Sequence, residues 1–391
     1  MATNGSLGLN SKMESEEHFS GIERAAELSR KRQLLQELLA GQHLDALLVS
    51  RHENIAWATA GLVDMRIGLP RETGCGSLLF TRDGASYYLT TNNEAARLAD
   101  EEFAHLDYRP LIQPLIQPWF AFDPAAFIRK VSPGMRVGAD DAASGFPAVS
   151  LKPLRLSLLE SEIMRYRWLG KTVAQCVSDT LIALKPGMTE VAMQAALAEQ
   201  LLRHEILPSV LLTAVDDRIR KYRHAVPRDG VLRRFGMLNL CARRWGLSVS
   251  ITRYLHFGPM PNELEAKFAA VARVNAAMLH ATRPQASSAD LFSTAQAAYS
   301  SEGYAEEEQM HHQGGATGYW EREWLARPGG EERILEQQAI AWNPSIQGAK
   351  AEDTVLLRNG KLETLTITPQ LPLVQTTIGQ ETYTSAGVLL A

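Results

Sequence analysis

The sequence has 391 residues, with 40 Lys+Arg against 44 Asp+Glu, 45 % hydrophobic residues and only three cysteines. That length suits two domains, of about 150 and about 240 residues, and the nearly balanced charge shows no basic run that would draw nucleic acid or an anionic membrane surface. Cys75, Cys176 and Cys241 are too few and too scattered for a disulfide scaffold or a cysteine-based zinc cluster, no apolar run approaches the ~20 residues of a membrane span, and the expected location is therefore cytoplasmic.

Residues 1–22 are rich in Gly, Ser, Asn and Glu, lack periodicity and read as a flexible tail. They show no basic start followed by an apolar core, so no secretory leader is expected. From Glu23 to Leu39 apolar residues recur at helical spacing, and Gly41 stops the helix. Asp45–Ser50 reads as a buried strand, Ile55–Ala60 as helical. Ser77–Thr81 and Ala85–Thr90, joined through Asp83-Gly84, read as a hairpin because Asp-Gly supplies turn chemistry. A helix over Asn93–Phe103 follows, so residues 23–150 are expected to form a small α/β domain. Pro147–Pro153 connects to a long helix over Leu158–Leu184, stopped by Lys185-Pro-Gly187, and Thr189 caps the next helix over Glu190–His204. Beyond Gly230 the pattern is largely strand, at 236–242, 247–257, 339–343, 353–357 and 362–367, interrupted by helices near 261–282 and 288–302. Residues 151–391 therefore read as a second, α+β domain.

Seven landmarks in this second region fall in a familiar order. They are Glu162-Ile-Met-Arg165, Lys185-Pro-Gly-Met-Thr-Glu190, Tyr222-Arg-His-Ala-Val-Pro227, Ser250-Ile-Thr-Arg253, His311-His-Gln-Gly-Gly-Ala-Thr-Gly318, Trp342-Asn-Pro344 and Ala351-Glu-Asp-Thr-Val355. This order resembles the pita-bread superfamily of creatinase, prolidase and aminopeptidase P. The resemblance covers about residues 26–391. It implies a creatinase-type N-terminal α/β domain, a C-terminal pita-bread domain, and a homodimer in which N-terminal residues reach the partner's site.

The metallopeptidases of that superfamily hold two metal ions with two Asp, one His and two Glu. Carried over position by position, the first Asp falls on Asn239 and the second on Ser250, eleven residues apart as in the family. The His falls on Gly315, the Glu of the Glu-Pro pair on Asn343, and only the last Glu persists, as Glu352. Two divalent ions need several anionic oxygens, which one carboxylate does not supply. The expectation is therefore no bound metal and no cofactor. His311 and His312 lie close by in sequence and offer metal-ligand nitrogens, but alone they lack carboxylate partners.

His224 is the leading candidate for chemistry, because it stands where the superfamily keeps a catalytic or substrate-binding His and an imidazole titrates near neutrality. The plain alternative is a hydrogen-bonded loop histidine. Glu352 reads as a lone carboxylate that orients His224 or grips a substrate, or as an acceptor for backbone N–H groups. Glu323 and Arg322 fall on the Glu and His of a family pair, with a surface ion pair between the two as an equal reading. Asn239, Ser250 and Asn343 offer neutral hydrogen bonds to a small polar substrate, and His312 lies beside them. Arg253 buttresses the site, Tyr319 walls it or packs in the core, and Arg66 and Arg71 dock a carboxylate from the partner chain or are ordinary surface arginines.

These residues lead to a metal-independent enzyme of creatinase type, hydrolysing a C–N bond in a small, carboxylate-bearing substrate with His224 as general acid/base. Two other readings stay open. One is acid/base chemistry without hydrolysis (elimination, cyclisation or rearrangement) in a specialised biosynthetic pathway. The other is a pseudoenzyme that binds a peptide or metabolite.

Overall fold

A computed structural model describes residues 21–104, 106 and 112–391, with side chains from residue 24 onward. Nearly all of the expected 1–22 tail lies outside the described residues. The chain divides into two compact units between Arg155 and Leu156.

The N-terminal unit begins with α1 (Gly21–Gly41), followed by β1 (Ala46–Arg51) and α2 (His52–Ala58). The hairpin of β2 (Thr73–Thr81) and β3 (Ser86–Thr91) turns at Gly84, whose φ of 96° explains the glycine there. Beyond it the chain is helical from Ala95 to Phe103, the second part wound as π-helix. Then come β4 (Gln113–Gln117), α3 (Pro124–Val131) and β5 (Val137–Ala139). The sheet order is β4-β3-β2-β1-β5. Strand β4 and helix α3 are elements the sequence pattern did not signal. β4 contains Pro114, which an edge strand tolerates because one side of its backbone needs no ladder donor. Leu47, Leu48, Leu79, Leu89 and Ile128 fill the interior.

The C-terminal unit opens with α4 (Glu160–Ala183) and α5 (Glu190–Leu202). Glu162 accepts from the Leu159 N–H at 2.8 Å, and Thr189 accepts from the Ala192 N–H, so both helix starts are capped, the second as the sequence suggests. One sheet contains β6 (Leu207–Val215), β7 (Phe235–Arg244), β8 (Leu247–His256) and β17 (Leu389–Leu390), in the order β17-β8-β7-β6. Helices α6 (Asn262–Ala281) and α7 (Ser288–Ser301) follow. The second sheet, ordered β14-β13-β10-β9, is built from β9 (Gly314–Thr317), β10 (Gln338–Trp342), β13 (Asp353–Arg358) and β14 (Lys361–Thr364). Two hairpins complete the unit: β11 (Ser345–Ile346) with β12 (Ala349–Lys350), and β15 (Leu373–Ile378) with β16 (Glu381–Ala386). The last hairpin was not evident from the sequence, because its Thr-rich strands alternate without a strong apolar face.

Phe235, Tyr254 and Phe268 stack and edge against each other in the main core, whose other large members include Met278, Trp324 and Trp342. The two sheets meet at a bridge between Thr252 and Glu352, where the Thr252 N–H donates to the Glu352 carbonyl. The candidate site forms at this junction.

Candidate functional site

Strand register builds the site. In the β7–β8 ladder Asn239 lies opposite Thr252 and Cys241 opposite Ser250, so these four polar side chains share one face of the sheet. The sheet junction adds Glu352, which is buried. Its Oε2 accepts from Asn239 Nδ2 at 2.6 Å and from Thr252 Oγ1 at 2.5 Å. Its Oε1 accepts from an Arg322 guanidinium nitrogen at 3.0 Å. The other end of that guanidinium donates to Ser250 Oγ and to the Glu321 carbonyl, each at 2.7 Å. Arg322 thus spans the space between Ser250 and Glu352, two of the positions the resemblance aligned with metal ligands. Arg322 pairs with the buried Glu352 rather than forming the surface pair with Glu323 that the sequence left open. Glu323 is itself buried and accepts from the Trp320 N–H.

Gly315 explains why no histidine can stand at its position. A Cβ there would lie 1.9 Å from the Trp324 carbonyl oxygen. That carbonyl is held in place on both sides, because the Glu323 N–H donates to the Ala316 carbonyl and the Ala326 N–H to the Gly314 carbonyl. Asn343 is buried, with its side-chain oxygen unpartnered among the described residues. Asp353 points away from Glu352 and pairs with Arg253. The Arg253 fork also donates to Thr368 Oγ1 and to the carbonyls of Thr252, Glu352 and Thr366, so it holds the Glu352 backbone. Tyr319 is fully buried and donates to Glu162 at 2.6 Å, which places it in the packing against α4. A single carboxylate, three neutral side chains, a glycine and a guanidinium do not fit the two-metal centre that the superfamily implies.

The charge that remains is cationic. Lys350 is buried beside Glu352, and sequence inspection passed over it because it lies in a two-residue strand. Burial pushes its ammonium below the ordinary lysine range, the Glu352 charge opposes that shift, and Arg322 adds to it. Burial alone would raise the Glu352 carboxyl, but Lys350, Arg322 and the Thr252 hydrogen bond outweigh it and hold the group below the usual carboxylate range. Burial also pushes the Cys241 thiol up to about 11, so it is no thiolate nucleophile at neutral pH.

Three histidines gather next to these cations. His224 Nε2 lies 3.0 Å from His311 Nε2, and the nearest ligand atoms of His224, His311 and His312 all lie within 4.8 Å of one another. His311 Nδ1 is 2.6 Å from the His312 carbonyl, to which it donates. Burial, then Lys350, keeps His224 below the ordinary imidazole value, while the Glu352 charge acts the other way. The same two causes take His311 down to about 2, and burial followed by Arg322 takes His312 to about 4. All three are neutral near pH 7. Arg66 and Arg71 belong to the N-terminal unit, where the Arg66 fork is taken up by Asp64.

The model of metallopeptidase family M24 matches residues 165–359. The chain belongs to the pita-bread superfamily. Its fold is similar to dipeptidase PepE from Mycobacterium ulcerans, with 17% identity over 88% of this chain and 97% of that one and a TM-score of 0.69. It is similar to Xaa-Pro dipeptidase from Bacillus anthracis, with 14% identity over 93% and 100% and a TM-score of 0.70. It is also similar to the N-terminal domain of FACT complex subunit SPT16 from Cicer arietinum, with 12% identity over 88% and 97% and a TM-score of 0.63. No curated protein matches the sequence significantly. Among the described residues, no helix of this pita-bread protein is long and apolar enough to cross a membrane.

Proposed function

We propose that this pita-bread protein is a hydrolase that works without the two-metal centre of its relatives and cleaves a C–N bond in a small substrate bearing a carboxylate. The observation that carries this reading is the Arg322 guanidinium bonded to both Glu352 and Ser250, where the aligned metal ligands would stand. Arg322 and Lys350 together outnumber the one Glu352 charge, so the site favours an anionic group or an oxyanion that develops during reaction. His224 is exposed to solvent and neutral, the form a general base needs. It takes a proton from water as the oxygen adds to the substrate carbon, then returns that proton to the departing nitrogen as the C–N bond breaks. His311 orients the His224 ring. Glu352 holds Arg322 in place, and Asn239 and Ser250 fix the pair. The working unit in this proposal is a cytoplasmic homodimer, with Arg66 and Arg71 delivered from the N-terminal domain of the partner chain to the substrate carboxylate.

A second reading is a binding module. It is favoured by the protein's own groups filling the Glu352 hydrogen bonds, and by the likeness of fold to the FACT subunit domain. A thermal-shift screen of small carboxylated amides and guanidino compounds, followed by turnover assays of the hits, separates the two. Turnover that is lost in His224→Ala supports the hydrolase. Stabilisation without turnover supports the binding module. Two equivalents of tightly held metal in protein purified without chelator would overturn the metal-free reading.

A further inference from the structure

We infer that His224, His311 and His312 form a site for one late first-row divalent ion, with Zn2+ as the natural occupant, separate from the space that Arg322 fills. Three observations point to it. First, the geometry is close to that of a metal's inner sphere. Two nitrogens bound at the usual Zn–N length of about 2.0–2.1 Å with tetrahedral angles stand roughly 3.3 Å apart. The Nε2 atoms of His224 and His311 are already 3.0 Å apart, and the third donor lies within 4.8 Å. His224 is exposed, so rotation of its side chain can close the remaining gap.

Second, His311 is prepared as a ligand. Its Nδ1–H donates to the His312 carbonyl at 2.6 Å, which leaves the lone pair on Nε2 facing His224. A backbone carbonyl behind the outer nitrogen is the arrangement that fixes the tautomer of a metal-bound imidazole. Third, His312 Nδ1 is buried with no hydrogen-bond partner among the described residues. A buried donor or acceptor left unsatisfied is costly, and a ligated ion would relieve that cost.

The donor set decides the class of ion. Three imidazoles without a carboxylate suit Zn2+, Cu2+, Ni2+ or Co2+ and are poor partners for Mg2+, Ca2+ or Mn2+. The exposed edge at His224 leaves a fourth position open to water. Lys350 and Arg322 lie near enough to repel an incoming cation, and Glu352 offsets only one of them. The expected affinity is therefore micromolar, weaker than that of structural zinc sites. An imidazole bound to zinc cannot shuttle protons, so occupancy would silence the reaction proposed above.

The test reads binding directly and needs no substrate. Full-length protein stripped by chelator is titrated with Zn2+ against a chromophoric competitor, and with Co2+ followed by its visible d–d absorption. One equivalent with tetrahedral Co2+ bands is expected. His224→Ala and His312→Ala are each expected to weaken binding at least tenfold, with circular dichroism checking the fold, while His204→Ala leaves it unchanged. Absence of a saturable equivalent, or binding that persists in the His224→Ala/His312→Ala double variant, would overturn the site. Neither result decides whether the metal-free protein turns over a substrate, so the hydrolase reading stands or falls separately.

Discussion

Replacing Arg322 with Met removes the guanidinium while keeping much of its volume. Arg322 and Glu352 are 13% and 3% exposed, so the pair is shielded from water and its loss is not absorbed by solvent. Glu352 would keep its bonds from Asn239 and Thr252, but the cation facing its other oxygen would be gone. Removing one member of a buried ion pair costs about 3–5 kcal/mol, mostly because the remaining charge is stranded. Ser250 Oγ and the Glu321 carbonyl lose donors as well. Part of the cost is offset by Lys350, so about 3 kcal/mol is expected. Adding Glu352→Gln to Arg322→Met should recover about 2 kcal/mol, because the stranded charge disappears. Urea denaturation followed by tryptophan fluorescence is suited to the measurement. Trp324 lies two residues from the substitution, and five of the seven tryptophans (Trp168, Trp245, Trp320, Trp324 and Trp342) lie in the C-terminal unit. A loss below 1 kcal/mol in Arg322→Met, or a double variant less stable than the single one, would refute the claim that Arg322 is the main counter-charge of Glu352.

Three further outcomes are expected. Gly315→Ala drives a methyl into the Trp324 carbonyl, a position with no room to yield, and should lower stability by about 3 kcal/mol or leave the protein insoluble; a melting temperature within a degree of wild type would show that the loop is softer than its hydrogen bonds suggest. Arg253→Lys keeps the charge but loses the fork that reaches Asp353, Thr368 and three carbonyls, and should cost about 3 kcal/mol by the same denaturation assay, whereas an unchanged midpoint would mean the charge alone suffices. In the N-terminal unit, burial raises Asp140 to about 6, against the hydrogen bonds it accepts from Ser50, Asn54 and Arg51. A raised native value means the contribution to stability is full below the ordinary 3.8 and is lost as the pH climbs through 6. Between pH 4 and pH 7 the wild type should lose about 2 kcal/mol more than Asp140→Asn, and parallel pH profiles would contradict this.

Much of the fold was legible because its signals are local. Lys185-Pro-Gly187 ends α4, Thr189 caps α5, and the eleven-residue gap between Asn239 and Ser250 marks the two strands that carry them. Which residues stand at the positions the resemblance aligned with metal ligands could be read for the same reason. The pairing of Arg322 with Glu352 could not. Thirty positions separate the two, a carboxylate sits directly beside Arg322 at Glu323, and only the meeting of two sheets decides which one it reaches. Lys350 and the gathering of His224 with His311 were hidden in the same way, since loops 87 residues apart in sequence come together only in the folded chain. Strand β4 escaped notice because Pro114 argues against a strand everywhere except at a sheet edge.

The Trp324 carbonyl also bears on how this protein could change. Reversal by single substitutions is blocked at Gly315, because any side chain there would first collide with main chain. A histidine at this position would require the 321–326 loop to be rebuilt first. The backbone therefore acts as a ratchet.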